Sequence, residues 1–110
     1  MSPDSFCRAA SDLIYGDRAK THGPFTRSLQ NISTMWNAYL AIRREPSMPL
    51  GPTDVAYLMA LLKIARSQSG ETNPDNPIDA IAYLAFAGAL NEGAPSTDYI
   101  RGPNNPGKTD

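Results

Sequence analysis

Nine side chains in this sequence are of types that hold small polar molecules, and they fall in three places. The first is the stretch from Gly16 to Pro24, where Asp17, Arg18, Lys20 and His22 crowd between glycines just ahead of a helix-forming segment. A helix starting at Pro24 presents unpaired N–H groups and partial positive charge at its N-terminus. With Arg18, Lys20 and His22 beside it, that end suits a phosphate. The structural alternative is a polar loop in which Gly-Pro merely begins a helix.

The second place is Lys63 with Arg66, one helical turn apart and therefore on one face. Lys63 directly follows the eight apolar residues Val55 to Leu62. A cation at the edge of such a run either reaches out to solvent or is paired in a pocket. The plain alternative is that cations are favourable near a helix C-terminus. The third place is Asp75 and Asp79, with Tyr83 one turn further. Asp79 is the only charged residue between Asn76 and Asn91. If Asn76 caps the helix, Asp79 falls at the third position and acts as the acid of a capping box. If instead it turns inward, a buried charge needs a partner, and Lys63, Arg66 or a bound metal would serve.

Proline marks the elements that must position these groups. Pro3, Pro24, Pro52 and Pro77 follow Ser, Gly, Gly and Asn, and each precedes helix-forming residues. A cap followed by proline at the first helical position predicts four helices. The first spans about 3–15, closed by Gly16, with Phe6, Ala10, Leu13 and Ile14 as its buried face and Cys7 on the same apolar side. The second spans about 24–43, with a stripe from Phe25 through Leu29, Ile32 and Trp36 to Leu40. It stops ahead of Pro46, because the residue before proline avoids the helical region. A proline-rich, extended loop over 45–52 follows.

The third helix spans about 53–68. It is apolar all round over VAYLMALL and is therefore expected to be central. The fourth runs over 77–91, rich in alanine, and is expected to pack tightly on the third helix or on a second subunit. The fold class is all-α: a compact four-helix domain over residues 1–93, followed by a flexible Pro/Gly/Asn-rich tail over 94–110. Two helices without a polar face are hard to bury in one chain of 110 residues, which predicts a homodimer.

Composition excludes several classes. The chain is 41% hydrophobic and 19% charged, with a formal net charge of -1. That is an ordinary globular balance with no basic excess for nucleic acid. The single cysteine, Cys7, rules out an internal disulfide and fits a reducing cytoplasm. With no activating partner nearby, Cys7 reads as a small buried hydrophobe. The N-terminus lacks the pattern of a signal peptide, and no apolar run is long enough to span a bilayer. One histidine cannot build a histidine-rich metal centre, and no Walker loop, CxxC or nucleophile elbow is present.

The segments YGDRAKTHGPF, NISTMWNAYL, DVAYLMALLKIARSQSG and DNPIDAIAYLAFAG, within about residues 10–92, resemble a family of small uncharacterised phage and prophage proteins. The matching positions are Gly16-Asp17-Arg18, Gly23, Lys63, Arg66, Asp75, Asp79 and Tyr83; His22 stands where that family more often has tyrosine. The pattern is also similar to phage domains associated with nucleotide modification. It is more loosely similar to helical nucleotide pyrophosphohydrolases of the MazG type. Those enzymes hold magnesium with a Glu-x-x-Glu pair and a second acidic pair, and this chain has no Glu-x-x-Glu.

The resemblance implies a phage accessory protein of the host cytoplasm that binds a phosphorylated nucleotide or related small anion and, on a wider reading, hydrolyses it. Asp17, Arg18, Lys20, His22, Lys63, Arg66, Asp75, Asp79 and Tyr83 would line the pocket, with Tyr83 or Trp36 stacking on a base. Asp75 and Asp79 alone make a poor magnesium site, so no metal ligand is assigned. The alternative is a protein–protein module acting on a host or phage protein, with the charged cluster purely structural.

Overall fold

The computed structural model describes residues 1–16 and 24–93. Four helices make up the secondary structure of the described residues: α1 (Pro3–Tyr15), α2 (Phe25–Ile42), α3 (Pro52–Arg66) and α4 (Asp75–Asn91). The expected tail over 94–110 and the polar link over 17–23 lie outside the described residues.

Three of the four helices start where their prolines predict. In α1, Ser2 caps the helix, its hydroxyl accepting from the Ser5 N–H at 3.2 Å, and Pro3 takes the first position. α2 begins directly after Pro24, and α3 has Gly51 as cap and Pro52 at its first position. α4 starts earlier than expected. The sequence offers two Asn-Pro pairs, and the helix uses the first: the Asn73 side chain accepts from the Asp75 N–H at 2.9 Å. Pro74 already has helical dihedrals (φ −64°, ψ −18°). Pro77 then sits within the first turn, where its missing N–H has no intrahelical partner to lose. Asp79 is therefore two residues too deep to close a capping box, and Asn76 is not the cap.

α3 lies between α2 and α4. Trp36 ties α2 to it, the indole N–H donating to the Leu58 carbonyl at 2.7 Å. Tyr57, through a hydrogen bond from Asn91, and Lys63, through Asp79, face α4. The core is small and largely alanine: Ala56, Ala60 and Ala65 of α3 with Ala80 and Ala87 of α4, plus Leu58 and Ile32. Short side chains let the α3 and α4 backbones come close, the tight packing that the composition of α4 predicts. The 45–52 loop is not extended throughout. Its first half folds into a turn, with the Met48 N–H on the Glu45 carbonyl at 3.1 Å, because Arg43 gathers the Pro46 and Met48 carbonyls beneath it.

α1 departs from expectation. It buries no residue, and Phe6, Leu13 and Ile14 are exposed. Cys7, expected inside, is exposed as well. Among the described residues, α2, α3 and α4 bury their faces on one another, and none covers the apolar stripe of α1.

Candidate functional site

An open cleft of about 350 Å³ lies between the end of α3 and the start of α4. Its polar groups come from Lys63, Ser67, Thr72, Asn73 and Asn76, and Ile64, Pro74, Pro77 and Ala80 supply an apolar wall. Among the described residues, Lys63 is its only cation. The lysine stem runs along the apolar contact between α3 and α4, leaving its side chain 19% exposed. Its Nζ is held 3.1 Å from Asp79 Oδ2, and that carboxylate is 43% exposed. The alternative raised by the sequence, that Asp79 turns to a basic partner on the neighbouring helix, is what the structure places.

The first turn of α4 borders this cleft, but its backbone donors are already engaged. The Asp75 N–H donates to the Asn73 side chain, the Asn76 N–H to the Asn73 carbonyl at 3.1 Å, and Pro77 has none. The cleft surface is largely apolar: the Ser67 hydroxyl is donated to the Ile64 carbonyl and Asn76 is buried, so an anion entering it would be met by Lys63, already paired with Asp79, and by Thr72 and the Asn73 amide.

The other expected residues are placed unevenly. Arg66 is half-buried one turn beyond Lys63 and is not among the described residues that line the cleft; its carbonyl accepts from the Ser69 N–H at 3.3 Å. Asp75 is exposed in the first turn of α4. It shares a helix side with Asp79, whose charge is already balanced by Lys63. Among the described residues, no group of three or more His, Cys, Asp or Glu is gathered as a metal site would need. Tyr83 is half-buried, its ring edge-on to Phe86 with centroids 6.3 Å apart. Trp36 is half-buried, with its indole N–H on the Leu58 carbonyl. Asp17, Arg18, Lys20 and His22 lie outside the described residues.

A second polar cluster was not singled out by sequence reasoning. The Tyr39 hydroxyl donates to Asp54 Oδ1 at 2.6 Å. Arg43 Nη1 donates to Asp54 Oδ2 at 2.9 Å, and the Gly51 N–H donates to the same oxygen at 2.9 Å. Arg43 Nη2 donates to the Pro46 and Met48 carbonyls. Asp54 sits at the third position of α3, so one carboxylate caps that helix, anchors α2 and fastens the loop between them. The available signal was an acid three residues after Gly51; its partners on α2 leave no local trace.

These bonds shift two protonation equilibria. The Gly51 and Tyr39 hydrogen bonds, with Arg43 alongside, hold the Asp54 carboxyl below its ordinary value. Burial first, then Asp54, pushes the Tyr39 hydroxyl up to about 12. Because Asp54 is depressed, its stabilisation is full above the ordinary carboxylate value of about 3.9 and is lost as pH falls through the folded value. Because Tyr39 is raised, its contribution is full below about pH 10 and is lost as pH climbs from about 10 to about 12. The urea midpoint is expected to fall on both sides of neutrality, and Tyr39→Phe to flatten the alkaline limb. An alkaline limb unchanged in that variant would contradict the assignment.

The profile of a domain of unknown function, DUF6378, matches residues 5–91. The chain belongs to this family. The DUF6378 match takes in α1 through α4, so the exposed first helix is part of the shared unit. The Gene 55 protein of Mycobacterium phage L5 is similar, with 33% identity over 101 residues, which make up 90% of this chain and 60% of that protein. The chain thus spans about 60% of the length of that relative. No solved structure matches. No helix among the described residues of this DUF6378 domain is long and apolar enough to cross a membrane.

Proposed function

We propose that this DUF6378 domain is a phage accessory module that binds a phosphorylated nucleotide or related small anion in the cleft between α3 and α4, acting as a homodimer in the host cytoplasm. The observation that carries the reading is Lys63. Its amine is held by Asp79 at the wall of a largely apolar cleft that Thr72 and Asn73 also line. A lysine fixed by one carboxylate is pre-positioned to meet a second anion, with less side-chain freedom left to lose on binding. Arg66, one turn beyond Lys63 on α3, is carried as the second cation of the site, suited to a longer polyphosphate. Asp17, Arg18, Lys20 and His22 are carried as further contacts from the link before α2, and Asp75 and Tyr83 as flanking ones. Hydrolysis, with magnesium, is the wider form of the same reading.

A thermal-shift screen tests it, using nucleotides, cyclic nucleotides and nucleotide sugars with and without Mg²⁺ or Mn²⁺. A ligand at a hundred times its dissociation constant is expected to stabilise the fold by about 2.7 kcal/mol, several degrees for a domain of this size. Lys63→Ala with Arg66→Ala is expected to abolish that shift.

The uncovered apolar side chains of α1 and α4, among them Phe6, Ile14, Ile78 and Ile81, favour a second reading, a protein–protein module. Under that reading no compound in the screen shifts the melting temperature, and the double variant lowers basal stability alone.

A further inference from the structure

A second cavity lies toward the other end of α3. Its volume is about 760 Å³, larger than the 350 Å³ of the cleft at Lys63. That is inside the span of about 300–1,000 Å³ typical of small-molecule sites. The end of α2, the loop after it, the start of α3 and the last residue of α4 form its walls. α3 lends it Thr53, Asp54 and Tyr57, whereas the other cleft takes Lys63, Ile64 and Ser67. The two share no lining residue among those described.

Two tyrosines give this cavity aromatic surface. The rings of Tyr39 and Tyr57 lie 5.9 Å apart between centroids, tilted by 38°, and both residues are half-buried. Each is fixed at its hydroxyl. Tyr39 donates to Asp54, and Tyr57 Oη accepts from Asn91 Nδ2 at 3.2 Å. Met48 and Pro49 line the cavity from the loop, whose course Arg43 holds through the Pro46 and Met48 carbonyls. These walls are already ordered, which lowers the cost of seating a ligand on them.

The polar groups select the ligand. Asp54 accepts from Tyr39, Arg43 and the Gly51 N–H, so the principal acceptor of the wall is engaged. Donors remain. Tyr57 accepts from Asn91 and has its phenolic proton to give, and Thr53 adds a second hydroxyl. The wall is itself short of acceptors: Arg43, its side chain 7% exposed, has none for its Nε–H among the described residues. The formal charges of the described lining cancel, Arg43 and Arg44 against Glu45 and Asp54, and exert no net pull on an ion.

We propose that this cavity binds an uncharged, planar aromatic ring carrying a carbonyl oxygen. The ring lies against Tyr39 and Tyr57, and the oxygen accepts from the hydroxyls of Tyr57 and Thr53. The proposal stands apart from the anion reading of the other cleft, since this ligand has no charge and touches neither Lys63 nor Asp79.

Benzamide is the probe, a flat ring and one carbonyl on an uncharged frame. It is titrated into the isotope-labelled full chain, and the backbone amide signals are followed by NMR, which reads weak affinities. Saturable shifts are expected at Thr53, Tyr57 and Asn91, with an affinity that added salt does not change. Cyclohexanecarboxamide, whose ring is not flat, and fluorobenzene, which lacks the carbonyl, are expected to bind several-fold more weakly. Tyr57→Phe keeps the ring and removes the donor, and is expected to weaken benzamide several-fold. Thr53→Val tests the same oxygen from a second position, should the tyrosine variant fail to fold. Lys63→Ala is expected to leave benzamide binding as it is. Absence of a saturable shift at these residues would overturn the proposal. So would equal affinity for benzamide and cyclohexanecarboxamide, or native affinity in the folded variants at Tyr57 and Thr53. Shifts centred on Lys63 and Asn73 would place the probe in the other cleft and overturn it as well.

Discussion

Asp54→Ala is expected to lower the melting temperature by on the order of 10 °C, more than any other single side-chain truncation outside the alanine core. Three partners lose their acceptor at once: the Tyr39 hydroxyl, the Arg43 guanidinium and the Gly51 N–H. The Arg43 side chain is only 7% exposed, so its charge would stay in place without its carboxylate. Removing one member of a buried pair is far more damaging than the net worth of the pair, because the other charge is left uncompensated. The damage also spreads, since the same group caps α3 and fixes the loop that joins it to α2. Asp54→Asn keeps an acceptor for the Gly51 N–H but not the charge, and is expected to fall between the two. A thermal melt followed by circular dichroism reads both variants, and an alanine variant that melts like an ordinary surface substitution would contradict this role.

The second large effect lies at the contact between α3 and α4. Ala87 is 0% exposed, and the helices approach through alanines on both sides. Ala87→Leu inserts three carbons where no space exists, so the helices must separate or the side chain must leave its preferred rotamer. The expected cost is about 1–3 kcal/mol, or roughly 5–20 °C in melting temperature for a domain of this size. Ala38→Leu, at an exposed position of α2, makes the same chemical change and is expected to be close to neutral. Similar melting temperatures for the two variants would show that the α3–α4 contact is looser than described.

The fold was readable from local chemistry wherever local chemistry decides it. Ser-Pro and Gly-Pro pairs marked the starts of α1, α2 and α3 to within a residue, and the all-apolar run from Val55 to Leu62 identified α3 as the central helix. The start of α4 was read two residues late, because Asn73-Pro74 and Asn76-Pro77 carry the same signal and only the Asn73 hydrogen bond distinguishes them. The apolar stripe of α1 was legible as a stripe. What covers it was not, because periodicity says that a face is to be buried and not against what. Cys7 followed the same error, read as inside because it shares that face.

The candidate site shows the same division. Asp79 was flagged because a lone acid in an apolar helix needs a partner, and Lys63 because a cation ending an apolar run needs one too; the two meet at 3.1 Å. Arg43, Tyr39 and Asp54 were passed over, since they are 11 and 15 residues apart in sequence and meet only through the crossing of α2 and α3. Nothing in the spacing of either helix anticipates that crossing.

The measurement that bears most directly on the central claim is a calorimetric titration of the native domain and of Lys63→Ala with the nucleotide that gives the largest thermal shift. The Lys63–Asp79 pair is partly open to solvent, so its loss is expected to cost the fold no more than about 1 kcal/mol, leaving a folded variant to test. The account predicts saturable binding to the native domain and at least a tenfold loss of affinity in Lys63→Ala, the value of one charge-assisted contact to phosphate. Equal affinity in the two proteins would place the ligand elsewhere. No binding by the native domain to any nucleotide would contradict the nucleotide reading itself.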